Sequence, residues 1–133
     1  RLALEFTREA DNAEAAVCSA LRDVRRAAPS AKLIEAAPDL VGLTDVAELV
    51  GVSRQNMRKL MLAHPDTFPL PVHEGSTSIW HLADVLAWLQ ARGGYPQAEA
   101  VLDVARVALQ VNATKEGRRV LSSASKELDA LMG

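Results

Sequence analysis

The chain has 133 residues, 49% hydrophobic and 24% charged, inside the range of a globular protein able to bury a core. Aromatic residues make up only 4%, so Ala, Val and Leu must fill that core, which favours packed helices. No apolar run approaches the roughly 18 residues of a membrane span, and a net charge of -2 requires any nucleic-acid contact to come from a local basic face.

Cys18 is the single cysteine, so it can form no internal disulfide and cannot by itself hold a structural zinc, and a reduced, cytoplasmic setting is expected. The first residues lack the charged-then-apolar pattern of a signal peptide, and the sequon Asn112-Ala113-Thr114 therefore carries no expectation of a glycan. The chain opens on Arg1 rather than Met and runs straight into a strand pattern, which leads to the expectation of further sequence upstream.

Leu2, Leu4 and Phe6 alternate with Ala3, Glu5 and Thr7, the period-2 signature of a half-buried strand. Asp11 and Glu14 have the spacing of a capping box, and Ala13, Ala16, Val17, Ala20, Leu21 and Val24 recur at helical intervals up to Pro29. Lys32 to Ala36 reads as a second extended run closed by Pro38. Strand, helix and strand give a βαβ element over 1–38, the outline of half a ferredoxin-like unit, an analogy of fold that carries no function. Two strands alone make a marginal sheet, so upstream strands or a partner protein are expected to complete it.

Past Pro38-Asp39 the pattern changes. Val46, Ala47, Leu49 and Val50 mark a short helix with Thr44 as its N-cap, stopped at Gly51-Val52. Ser53 is a second N-cap, followed by Met57, Leu60 and Met61 on a helix that fades at His64-Pro65. Phe68 to Val72, the polar tip His73 to Thr77, and Ser78-Ile79-Trp80 read as a small hairpin edged by prolines. From about His81, Leu82, Val85, Leu86 and Leu89 define a third helix ending at Gly93-Gly94. After Tyr95-Pro96 a wide apolar arc of Val101, Leu102, Val104, Ala105, Ala108 and Leu109 predicts a further helix, interrupted or bent at Gly117. A last stripe of Val120, Leu121, Ala124, Leu128 and Leu131 follows. The expected fold is α+β and mostly helical, with a βαβ element over 1–38, a winged helix-turn-helix domain over 39–94 and C-terminal helices over 95–133 that pack back or support a homodimer.

Leu43 to Leu60 carries helix-turn-helix spacing. Ala47 is small where two helices cross, Gly51 permits the tight turn, and Val52, Met57 and Leu60 lock the second helix onto the first. The outward face then offers Arg54, Gln55, Asn56, Arg58 and Lys59, side chains able to pair with base edges or phosphate oxygens, with no acidic residue among them. Arg54, Gln55 and Asn56 are assigned to base edges, Arg58 and Lys59 to phosphates or bases, and Thr44 and Ser53 to the DNA backbone through their caps.

On these residues, with the Phe68-Pro69-Leu70-Pro71-Val72 run and the stretch Ile79 to Leu89, the chain resembles the winged helix-turn-helix domains of the MerR, AlpA and excisionase group. The resemblance covers about Leu43 to Leu89. It implies a recognition helix at Ser53 to Leu62, a wing at about Val72 to Ile79, and regulation of transcription or site-specific DNA architecture. The chain departs from that pattern in the wing, where Pro69 to Trp80 contains no Lys or Arg, leaving Ser76 and Thr77, with Ser78, His73 and His81, to reach phosphate.

Other readings follow from the same residues. The basic helix can be an ordinary solvated face, and the winged fold can serve as a protein-interaction adaptor, with the N-terminal βαβ edge as a second place for a protein partner. Trp80 and Trp88 flank apolar helical positions and are expected in core or hinge packing rather than against bases. His64, His73, His81 and Cys18 lack ligand spacing, so no metal or other cofactor is expected. No nucleophile elbow, phosphate-binding glycine loop or carboxylate pair surrounds the Ser, His and Asp residues, so the chain is not expected to be an enzyme. The expected partner is double-stranded DNA in the nucleoid, with no membrane association. Residues 1–50 hold 6 basic and 9 acidic side chains and residues 51–133 hold 9 and 8, so the cluster on the second helix stands out on a near-neutral background.

Overall fold

The computed structural model describes residues 3–5, 12–121 and 126–132. Within them the order is α1 (Ala13–Ala27), β1 (Leu40–Val41), α2 (Leu43–Val50), α3 (Arg54–Ala63), β2 (Trp80–His81), α4 (Leu82–Arg92), α5 (Pro96–Val120) and α6 (Lys126–Met132). The fold is mostly helical α+β. Its sheet is a two-stranded antiparallel pair in which Leu40 faces His81 and Val41 faces Trp80.

The core is built by α2, α3, α4 and the first half of α5. Leu82, Val85, Leu86 and Leu89 repeat at helical spacing on α4 and are all fully or almost fully buried, each contributing about 1.5–3 kcal/mol of transfer free energy. They meet Ala98, Leu102 and Ala105 of α5 in the same cluster as Val46, Ala47, Val50 and Met57. Alanine at two of the three α5 positions lets that helix lie close on its neighbours. Gly93 and Gly94, with φ of 86° and 87°, make the turn between α4 and α5 in a region that disfavours other residues. Phe68 and Trp80 close the core from the loop side, edge to face with ring centres 6.0 Å apart, and the Trp80 indole N–H donates to the Pro69 carbonyl at 3.0 Å. Trp88 stacks edgewise on Phe68 at 5.1 Å and donates to Thr67 Oγ1 at 3.2 Å. Both tryptophans thus pack as expected.

The N-terminal part differs from the βαβ outline. Ala3 to Glu5 form no strand, and the rest of the expected first strand lies outside the described residues. Lys32 to Ala36 forms no strand either. Leu33 and Ile34 are both exposed, so the run lacks the alternating burial a sheet face requires. Side chains of α5 satisfy its backbone instead. The Asn112 amide pairs with Ala36 in both directions, at 2.7 Å from the Ala36 N–H to Oδ1 and 2.8 Å from Nδ2 to the Ala36 carbonyl, while Lys115 Nζ donates to the Ile34 carbonyl. Helix α1 lies against α5 with no fully buried residue. Its N-cap is Asn12, whose side chain accepts from the Ala15 N–H at 2.8 Å, and not the expected Asp11, which lies outside the described residues.

Three further expectations are corrected. Helix α2 starts at Leu43 with Gly42 as N-cap, so Thr44 lies inside the first turn. The buried Leu43 extends the apolar face by one residue, and Asp45 Oδ2 accepts the Gly42 N–H at 2.9 Å. The expected hairpin shrinks to a single bridge between His73 and Ile79, because Pro69 and Pro71 cannot donate to a ladder. Helix α5 runs through Gly117 to Val120 without interruption, since one internal glycine costs only about 1 kcal/mol against good helix formers on either side. Near its end, hydrogen bonds from Arg119 and then Lys115 hold the Glu116 carboxyl below its ordinary value of 4.5. Among the described residues no helix is long and apolar enough to cross a membrane.

Candidate nucleic-acid interface

Two short helices joined by Gly51 form the centre of the site. Gly51 adopts φ 75° and ψ 29° and returns its N–H to the carbonyl of Glu48 at 3.3 Å, while the Val52 N–H reaches Ala47 at 3.0 Å. The left-handed residue ends α2 and turns the chain at once toward α3. Ser53 then caps α3, its Oγ accepting the Asn56 N–H at 3.1 Å. Met57, fully buried, and the partly buried Leu60 and Met61 dock α3 on Val46, Ala47 and Val50.

Helical geometry dictates what remains outside. With Met57, Leu60 and Met61 turned inward, the residues between them face water, and Arg54, Gln55, Asn56, Arg58 and Lys59 are all exposed. Arg54 and Arg58 fall one turn apart on one row, as do Gln55 and Lys59. No carboxylate pairs with Arg54, Arg58 or Lys59 among the described residues. Their charge is available to an anionic partner.

The other expected site residues stand apart from this row. Thr44 is exposed on the first turn of α2, where its hydroxyl caps nothing. Ser53 is exposed, with its hydroxyl committed to the α3 cap. Ser76 and Thr77 are exposed in the turn between His73 and Ile79. Among the described residues no hydrogen bond joins Thr44, Ser76 or Thr77 to α3. His81 turns inward, its Nδ1 donating to Asp39 Oδ1 at 2.7 Å, and is spent on the fold. No group of three or more His, Cys, Asp or Glu side chains among the described residues is placed to hold a metal.

Sequence reasoning passed over one neighbour of α3. A shallow cavity of about 340 Å³ beside the helix is lined by apolar Val52, Leu60 and Ala63 and by polar Asn56, Lys59 and Arg92. Arg92 belongs to the last turn of α4, and its position at a helix C-terminus gave it a local reason to be there. Nothing in the spacing along the chain reveals that it shares a cavity with residues of α3. Comparison with known protein families, with curated proteins and with solved structures finds no match to this chain.

Proposed function

We propose that this chain is a sequence-specific reader of double-stranded DNA that regulates transcription, with α3 placed in the major groove. The observation that supports this reading is the set of exposed side chains Arg54, Gln55, Asn56, Arg58 and Lys59 on a short helix free of acidic residues, held from its buried face by α2 and the Gly51 turn. Arg pairs with guanine and Asn or Gln with adenine through two hydrogen bonds each, and such pairs carry sequence information that phosphate contacts do not. Arg54, Gln55 and Asn56, in the first turn, are assigned to base edges and Arg58 and Lys59 to phosphates or bases. Thr44, Ser76 and Thr77 are peripheral backbone contacts in this reading, and the Ser53 N-cap presents free N–H groups to a phosphate. A homodimer goes with it, through the exposed Val120, Leu121, Leu131 and Met132 at the C-terminal end.

The test is selection of bound fragments from the source genome, repeated with Arg54, Asn56 and Arg58 all changed to Ala. The expected result is enrichment of one short repeat that the triple variant fails to enrich, and an inverted repeat would report a two-fold protein. On the enriched site Arg54→Ala or Asn56→Ala alone should lose about 1–3 kcal/mol, with a smaller loss on random DNA. Equal losses on both would reassign the residue to phosphate.

One observation favours a second reading. The wing carries no Lys or Arg between Pro69 and Trp80, and it exposes Leu70 and Val72, at 84% and 54%. An edge with exposed apolar residues and no Lys or Arg suits a protein partner better than a phosphate backbone. Failure to enrich any fragment at low salt would favour this adaptor reading.

A further inference from the structure

We propose that Arg92, held in place by His64 and Trp88, is a second nucleic-acid contact that grips the sugar-phosphate backbone where it passes α3. The inference rests on the reading of α3 as a DNA-recognition helix and extends that interface to the end of α4. Three observations carry it.

The first is position. Arg92 comes from a different helix yet lines the same cavity as Asn56 and Lys59, and neither Asp nor Glu lines it. The cavity is a shallow trough continuous with the exposed side of α3, a shape that admits a polymer backbone better than it encloses a small ligand. Glu99 lines a neighbouring depression with Gly93, Gly94 and Pro96, beyond the α4–α5 turn.

The second is preorganisation. Arg92 donates from Nη1 to His64 Nε2 at 2.9 Å, and its guanidinium carbon sits 5.6 Å from the centre of the Trp88 ring. His64 is itself fixed, with Nδ1 donating to the Leu60 carbonyl at 3.1 Å and its ring edge to face with Trp88 at 5.5 Å. The proton on Nδ1 leaves Nε2 as the acceptor for the guanidinium. A side chain held from two sides loses less rotamer entropy on binding, and its planar fork keeps further N–H groups for a phosphate.

The third is uncompensated charge. Arg119 shows the usual surface arrangement, with Glu116 at 2.8 Å. Arg92 is held instead by a His64 ring nitrogen and an aromatic face, and among the described residues no carboxylate pairs with it, so its positive charge is positioned without being cancelled. Such an arrangement has its use where a polyanion completes it.

The experiment measures the affinity of the full chain for a random-sequence duplex and for the fragment enriched in the selection, across a series of KCl concentrations. For Arg92→Gln the slope of log affinity against log salt should become shallower by about 1, and both duplexes should weaken by the same factor. His64→Ala should reproduce a severalfold loss in the native background and add nothing to Arg92→Gln, with thermal melts confirming that each variant folds. Arg92→Lys should restore the slope while abolishing the dependence on His64. Arg26→Gln, on α1, should leave the slope unchanged. An unchanged slope in Arg92→Gln, while the native chain remains steeply salt-dependent, would overturn the inference and leave the α3 reading standing. Weakening confined to the enriched fragment would also overturn it, by making Arg92 a base contact. A native chain without salt-dependent binding to either duplex would refute the α3 reading itself, and this inference with it.

Discussion

Asp39 is 4% exposed, and a buried carboxylate is tolerated only when its oxygens are satisfied. One oxygen accepts from His81 at 2.7 Å and the other from Asn112 at 2.8 Å, while its backbone carbonyl accepts the Leu82 N–H at 2.6 Å. The residue ties three segments together: the run that precedes β1, the start of α4 and the middle of α5. Asn112 is the pivot, because the same amide also pairs with both backbone groups of Ala36. Asn112→Ala should cost about 1–3 kcal/mol, since it strands a buried acceptor as well as removing its own bonds. Denaturant unfolding reads that loss, and hydrogen exchange at the Ala36 amide should accelerate with it. Asn112→Asp should cost more, because it sets a second carboxylate against Asp39. A variant as stable as the native chain would mean that water replaces the amide without loss.

At the scale of elements, the turn between α2 and α3 is the most demanding piece of backbone. Gly51 sits at φ 75° with only Gln97 Nε2, at 3.8 Å, near the place a Cβ would occupy. Conformation, then, and not space, fixes the residue, and Gly51→Ala should destabilise by about 1 kcal/mol. Ser53→Ala should cost a similar amount, about 1 kcal/mol, through loss of the α3 cap. Thermal melts of the two variants and their double check whether the costs add, and Thr44→Ala should cost much less, because its hydroxyl caps nothing. These helices were legible in the sequence because their apolar residues repeat at 3.6 and their ends carry Ser and Gly, signals that act within one turn of chain. The candidate face followed from them: once Met57 and Leu60 turn inward, the exposure of Arg54, Gln55, Asn56, Arg58 and Lys59 is geometry. The sheet was not legible, since strands of two residues have no period and Leu40 finds His81 only through the fold. Lys32 to Ala36 was misread because short apolar runs look alike whether a strand or a polar side chain satisfies the backbone, and Arg92 was missed because its neighbours lie on another helix.

On the scale of the whole molecule, the exposed face of α3 is only as rigid as what packs behind it. Helix α3 contributes a single fully buried side chain, Met57, so its orientation is inherited from what packs behind it. That support is α2 and, through one shared cluster, α4 and α5, whose Ala98, Leu102 and Ala105 belong to it with Val46, Val50, Leu86 and Leu89. The stretch 39–94, which reads as a self-contained domain from its pattern of helices, therefore shares its core with α5. Leu102, 2% exposed, is the place to test this dependence. Leu102→Ala should destabilise the chain by about 2–5 kcal/mol by opening a cavity between the helices, and the loss should appear equally in unfolding followed by Trp80 and Trp88 fluorescence and in unfolding followed by helical circular dichroism. Coincident transitions would make the α3 support and α5 one cooperative unit. A chain ending at Gly94 should then fail to melt cooperatively and should lose specific DNA binding with every residue of α3 intact. If that shortened chain kept its transition, α5 would be an appendage, and the rigidity of the α3 face would have to come from residues 39–94 alone.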